Sequence, residues 1–470
     1  MEKIIGRKEE IKLLESLKGT QKSAFVAVYG RRRVGKTYLV RNVFAGQFSF
    51  QITALGNVNL RAQIANFQAA VARQLPQLPQ KTSVKNWFEA FLLLADCLER
   101  DTRPKKIIFL DELPWFDYPQ SGFVSALEHF WNSWASARQD IVLIVCGSAA
   151  SWMVNNLINN HGGLHNRITH RLRLQPFSLT ECEAFFQHKS IYFDRYQLIQ
   201  LYMVMGGIPF YLEQVEGGSS AAQNIDRLCF KEDGVLRKEF ENLYPALFKK
   251  SEKHLAFIEA LAQKNRGLTR NELLNAVKLP DGGAVTRILR DLEESQFIRR
   301  YTAFGTRKYN AIYQLCDFYS LFYLRFIKES SPDDDNFWTN SLDDPAIRAW
   351  SGLAFEQVCF AHIAFIKKAL SIGGIQTQTS AWIGEGAQVD LIIDRRDHVI
   401  NLFEIKFSIN HFQIDKEYAE KLRQKVALFK TQSGTNKTIF LTLLTSHGLV
   451  QNEYAGSVVQ KALTMNDLFD

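Results

Sequence analysis

The chain has few cysteines: six in 470 residues (Cys97, Cys146, Cys182, Cys229, Cys316 and Cys359), with no Cys-x-x-Cys pair and no short Cys/His spacing. That excludes the usual zinc motifs and leaves buried reduced thiols as the reading. Long apolar runs are also missing. The longest, residues 141–154, is broken by Gly147, Ser148 and Ser151 and falls short of the ~20 residues that span a bilayer. The opening MEKIIGRKEE is charged throughout and lacks the apolar stretch of a secretion signal, so a cytoplasmic chain with no membrane partner is expected. There is no fixed-period repeat and no low-complexity tract. With 46% hydrophobic and 23% charged residues the chain is folded and not disordered, and its length calls for several domains. A formal charge of +8 permits contact with polyphosphates or nucleic acid without requiring it.

Up to about residue 177, short apolar runs (AFVAVYG, IIFLDE, IVLIVCGS) alternate with amphipathic stretches, the pattern of a parallel sheet covered by helices. Residues 178–248 read as helical and are punctuated by Gly206-Gly207 and Pro209, as a helical lid would be. In 249–315, three helical stretches precede two strand-like runs, FIRRYTAF and RKYNAIYQL, the order of a winged helix. Residues 316–349 form a helical linker in which an aromatic apolar segment, 318–327, is followed by an exposed SSPDDDN loop. From 350 to 470, one helix (GLAFEQVCFAHIAFIKKAL), strands VDLIID and VINLFEIKF, a charged helix and the strand TIFLTLL read as a mixed α/β domain.

The run Gly30-Arg31-Arg32-Arg33-Val34-Gly35-Lys36-Thr37 fits G-x-x-x-x-G-K-[ST] between an apolar strand and a helix that begins with Tyr38. Closely spaced backbone N–H groups and a helix N-terminus bind phosphates. Lys36 is expected on the β- and γ-phosphates and Thr37 on Mg2+. The three arginines read equally well as solvated loop charges. The buried-strand run 107–110 ends in Asp111-Glu112, placing one carboxylate to hold the magnesium and the next to polarise the attacking water. Ser148 ends a further buried strand, either beside the γ-phosphate or as a simple turn. Arg167 and Arg171 are both candidates for a charge-stabilising finger reaching ATP from the same or a neighbouring subunit. A finger between subunits implies a homo-oligomer.

With these motifs in view, the chain resembles the archaeal-type predicted ATPase family, STAND-like relatives of AAA+ proteins. The matching segments are GRKEEIKLLESL, GRRRVGKT, FLDELPW, CGSAASWM, GGIPFYLE and YQLCDFYSLFYLRF. The resemblance implies an AAA+-like α/β core with a helical lid, Gly6 and Arg7 near the adenine, and Pro209 reporting nucleotide state. Where the family has Gly-Arg before its finger position, this chain has Asn166-Arg167. The C-terminal part is similar to the PD-(D/E)XK nuclease domains often fused to such ATPases, with a restriction-endonuclease-like fold.

Chemistry supports that similarity. Asp390 stands at the start of one strand, and Glu404-Ile405-Lys406 lies in the next. Alternate strand residues share a face, so Glu404 and Lys406 point the same way. Glu356, on the preceding helix, completes the metal set or is a solvated helix acid. Two carboxylates, a cation and Mg2+ or Mn2+ are what phosphodiester hydrolysis needs. A salt-bridged strand pair is the alternative. In the winged helix, residues 281–296 form the recognition helix and 302–308 the wing tip, offering Arg287, Arg290, Arg299, Arg300, Arg307 and Lys308 to DNA phosphates; a protein-docking or purely structural role is the alternative. The expectation is an ATP-hydrolysing, DNA-directed protein with a metal-dependent nuclease domain. The alternative is an ATP-driven regulatory switch or assembly factor whose C-terminal domain binds without cutting.

Overall fold

The fold is described from a computed structural model over residues 3–75, 84–159, 162–164, 166–248, 250–305, 311–331 and 334–469. It divides into two compact units, Met1–Pro176 and Phe177–Asp470. In the first, strands β1 (Ala24–Gly30), β2 (Phe48–Thr53), β3 (Lys106–Asp111), β4 (Ile141–Gly147) and β5 (His170–Leu174) form one parallel sheet in the order β2-β3-β4-β1-β5. Strands β3 and β4 are buried along their whole length. Helices cover both faces of such a strand, which therefore reads as a continuous apolar run and not as an alternation. On one side Phe25 packs against Trp131, and Trp87 meets Phe67, Phe116 and Phe123 edge-on. The strand order has a functional consequence. β4 is inserted between β1 and β3, so the carboxyl ends of the strands carrying Gly30, Ser148 and Asp111 lie side by side. In parallel α/β sheets ligands bind outside those ends.

The second unit opens with helices Leu179–His188, Arg195–Met205, Pro209–Leu212, Ala221–Ile225 and Glu239–Leu243. A capping box formed by Ser178 and Glu181 starts the first. Gly206 and Gly207 both have positive φ, and a Cβ on Gly207 would stand 2.2 Å from the Phe177 carbonyl oxygen. Only glycine fits there. Helices Ser251–Ala262, Arg270–Val277 and Gly283–Glu294 follow. They pack with an antiparallel three-stranded sheet, β6 (Leu268–Thr269), β7 (Ile298–Thr302) and β8 (Ala311–Leu315), in the order β6-β8-β7. The two-residue β6 has no sequence signal.

The last sheet is mixed: β9 (Thr377–Gly384), β10 (Ala387–Arg395), β11 (Val399–Lys406), β12 (Thr438–Thr445) and β13 (Lys461–Thr464), ordered β13-β12-β11-β10-β9. β11 runs parallel to β12 and antiparallel to β10. Strands β9 and β13 are additions to the sequence reading. Asp390 also lies inside β10 and not at its start, within a register shift between Val389 and Ile392. Among the described residues, no single helix is long and apolar enough to cross a membrane.

The single helix expected over 352–370 is two, Pro345–Ala361 and Ile363–Ala369, bent by 75°. His362 stands at the break. Its Nε2 accepts from the Leu179 amide at 3.0 Å, which obliges Nδ1–H to donate to the Val358 carbonyl at 2.8 Å. Burial pulls this imidazole down from the ordinary 6.5 to about 4. A protonated Nε2 would confront an amide N–H. Stability from neutral His362 is therefore complete above pH 6.5 and lost as pH falls through about 4, a change of roughly 3 kcal/mol. Thermal melts between pH 7 and 4 should fall less steeply in His362→Gln than in the parent.

Candidate functional site

The phosphate-binding loop begins where β1 ends. Gly30 has φ 140°, and a Cβ there would meet the Leu174 carbonyl oxygen of β5 at 2.4 Å. Gly35, φ 87°, turns the chain into helix Lys36–Val43. A helix N-terminus at the end of such a loop is a general setting for anion binding. The buried Lys36 ammonium donates to the carbonyls of Gly30 (3.1 Å) and Arg31 (2.8 Å). Burial lowers its pKa, and the charges of Glu112 and Asp111 oppose that shift. Arg31 is buried, Arg32 and Arg33 are half-buried, and Tyr38 is exposed.

Thr37 Oγ1 donates to the Asp111 carboxylate, 3.0 Å from Oδ2 and 3.1 Å from Oδ1. Burial and the neighbouring Glu112 push the Asp111 pKa up. A hydroxyl hydrogen-bonded to a buried carboxylate, with the Glu112 carboxylate beside it, would suit a divalent cation. Glu112 adopts a left-handed backbone, φ 51°. Its Oε2 accepts from Ser148 Oγ at 2.8 Å and from the Ser148 amide at 3.3 Å. Lys36, Thr37, Asp111, Glu112 and Ser148 thus form one connected set. Cys146 is buried on β4, where burial and the charge of Asp111 push its thiol pKa well up; its position in an apolar run gives no sign of this neighbour.

Arg7 is buried after Gly6, and its Nη2 donates to the carbonyls of Val34 (3.2 Å) and Gln175 (2.6 Å). It clasps the backbone of the phosphate loop. Arg167 is exposed beyond Asn166 (φ 56°), and Arg171 is exposed on β5. Pro209 opens a four-residue helix in the second unit.

In the second unit, Glu404 on β11 is buried and held three ways. Lys425 Nζ lies 2.7 Å from one oxygen, Lys406 Nζ lies 3.0 Å from the other, and the Tyr418 hydroxyl donates to the same carboxylate. Burial raises its pKa, but Lys425 and Lys406 overcome that and hold it below the ordinary value. Sequence reasoning missed Lys425 and Tyr418. Both stand on helix Lys416–Ser433, seven positions apart and so on one face. Glu356 behaves oppositely. Burial and then the charge of Asp390 push its pKa up to about 8, with Lys406 opposing. It is not a freely solvated acid. Among the described residues, no three acids, histidines or cysteines converge closely enough to form a ready-made metal site.

Two expectations for the basic surface need correction. Arg299 is not available to phosphates: its guanidinium donates to Gln314 Oε1 at 2.6 and 2.8 Å and lies 3.7 Å from the Phe360 ring centroid. Phe304, in the expected wing tip, instead donates its amide to the Ala381 carbonyl and packs on Phe429. Arg287, Arg290 and Arg300 are exposed. Arg307 and Lys308 lie outside the described residues.

A parallel α/β sheet whose strand ends gather a phosphate loop, a buried lysine and two carboxylates defines a P-loop ATPase core. Residues 4–215 match an ATPase domain predominantly from Archaea. Over 428 residues the chain is 24% identical to an uncharacterized protein of Methanocaldococcus jannaschii, covering 89% of this chain and 91% of that one. It is similar in fold to the Walker-type ATPase of Pyrococcus abyssi, with 19% identity, a TM-score of 0.50, and coverage of 68% of this chain and 96% of that one.

Proposed function

We propose that the chain is an ATP-driven, DNA-directed protein with a metal-dependent nuclease in its C-terminal part. The parts would be the core (1–177), lid (178–248), winged helix (249–315), linker (316–349) and PD-(D/E)XK-like domain (350–470). In the core, Lys36 binds the β- and γ-phosphates, Thr37 and Asp111 hold magnesium, and Glu112 orients the attacking water once Ser148 releases it. Arg167 is the proposed finger, from this subunit or a neighbour in a homo-oligomer, and Pro209 the lid contact.

The observation that carries the nuclease reading is the Glu356 acid, pushed up to about 8 by its burial and by Asp390. Burial and a neighbouring carboxylate disfavour the ionised form of Glu356, and a bound cation would favour it. Asp390 and Glu404, with Glu356 beside them, would hold Mg2+ or Mn2+; the ion supplies charge for a developing phosphorane and a more acidic water. Lys406 orients that water. One water is consumed per cut: its oxygen bonds to phosphorus, the bond to the leaving ester oxygen breaks, and a proton passes to that oxygen. The regulatory-switch reading draws support from Glu404, whose oxygens are already engaged by Lys406, Lys425 and Tyr418. Incubating linear, circular and branched DNA with the protein, with and without ATP and Mg2+ or Mn2+, separates the two readings: cutting supports the nuclease, and binding without cutting supports the switch.

For DNA contact, the exposed Arg287 and Arg290 on helix Gly283–Glu294 are the proposed phosphate ligands. Reversing both charges should weaken binding and lower the log–log salt slope by about 2. An unchanged slope in a fluorescence anisotropy titration would assign this helix to protein docking.

A further inference from the structure

Resting on the nuclease reading, we infer that its substrate is a single strand and not a duplex: one nucleotide at a strand end or in an unpaired stretch enters a cavity walled by two of the candidate acids, Glu356 and Asp390, and by residues of strands β7 and β8. Within the second unit, a cavity of about 320 Å3 is lined by Glu356 and Asp390 together with Tyr301, Lys264, Arg266 and Arg325. That volume sits near the lower end of the ~300–1,000 Å3 range of small-ligand sites. A volume at that end of the range suits one nucleotide and not a duplex.

The enclosure is fastened. The Phe304 amide donates to the Ala381 carbonyl on β9, its ring packs 5.1 Å from Phe429, and Arg299 lies over Phe360 on helix Pro345–Ala361. Charge is sorted across the cavity. Glu356 and Asp390 are partly buried, whereas Lys264, Arg266 and Arg325 are exposed. Cations at the rim suit the phosphates flanking an inserted nucleotide, and acids inside suit a metal at the phosphate to be cut. Tyr301, its hydroxyl donating to the Arg266 carbonyl at 2.7 Å, adds an aromatic surface to the wall; base stacking on such rings is the sequence-tolerant mode of single-strand recognition. Enzymes that act inside a pocket of this size take the nucleotide out of the duplex first.

The test uses the full chain with Mg2+ or Mn2+ and three end-labelled DNAs of one sequence: a single strand, a blunt duplex, and a duplex with a single-stranded tail. The single strand and the tail should be cut at least tenfold faster than the blunt duplex. Arg266→Glu combined with Arg325→Glu should lower single-strand cutting at least tenfold, with ATP turnover and thermal melting unchanged. Because both side chains are exposed, a folded variant is expected. Anisotropy of the labelled single strand in Ca2+ gives a second readout, in which the double variant should bind at least tenfold more weakly. Equal cutting of the blunt duplex, or unaltered single-strand cutting and binding by the double variant, overturns the inference and leaves the nuclease standing. Failure to cut any of the three DNAs overturns the nuclease reading and this inference with it.

Discussion

Lys36→Ala is expected to lose nucleotide affinity by 100-fold or more and to show no ATP turnover. A lysine bonded to two phosphates contributes roughly 3 kcal/mol through charge-assisted hydrogen bonds. The same ammonium also holds the Gly30 and Arg31 carbonyls, so its loss relaxes the loop as well. Glu112→Gln should behave differently. It retains the Ser148 contact and the phosphate cradle but loses the charge that polarises water, so binding should persist while hydrolysis drops on the order of 100-fold or more. Fluorescent-nucleotide titration together with phosphate release separates the two variants; normal turnover in both would remove the assignment of this site.

Asp390→Ala, Glu404→Gln and Lys406→Ala should each reduce DNA cutting on the order of 100-fold while leaving ATP turnover at the parental rate. Glutamine is chosen at position 404 because alanine would strand two lysines and a tyrosine hydroxyl around a buried gap. That would mix a folding defect with the chemical one. The acid variants should recover part of their activity at high metal concentration, since the remaining oxygen ligands persist. Lys406→Ala should not, because its role lies with the water. Cutting by the Asp390 and Glu404 variants at the parental rate would make the carboxylates structural and favour the regulatory switch.

The ATPase half of the chain was more legible than the rest, for a physical reason. Strands β1, β3 and β4 are buried on both faces, so each is a continuous apolar run closing on chemistry: Gly30, Asp111 and Ser148. What no run of residues encodes is the strand order, and only the insertion of β4 between β1 and β3 explains why Ser148 bonds to Glu112. In the C-terminal part, β9 begins Thr-Gln-Thr-Ser and β13 is four residues long, too polar and too short to announce themselves. The helix break at His362 lacks a glycine or proline and is fixed instead by the Leu179 amide, far away in sequence. Lys425 and Tyr418 sit on a helix whose many charges read as a solvated face, and their purpose is visible only once Glu404 is placed opposite. Arg299 is not legible from sequence because a basic strand residue looks the same whether it faces phosphate or the Phe360 ring.

The central claim is that the ends of β1, β4 and β3 form a working ATP site. It is tested most directly by steady-state phosphate release from the full chain with saturating ATP, with and without Mg2+, beside Lys36→Ala. Magnesium-dependent release by the parent, abolished by EDTA and absent in Lys36→Ala, is the predicted result. Release by Lys36→Ala equal to that of the parent, or a parent that neither binds ATP in calorimetry nor releases phosphate, would contradict it.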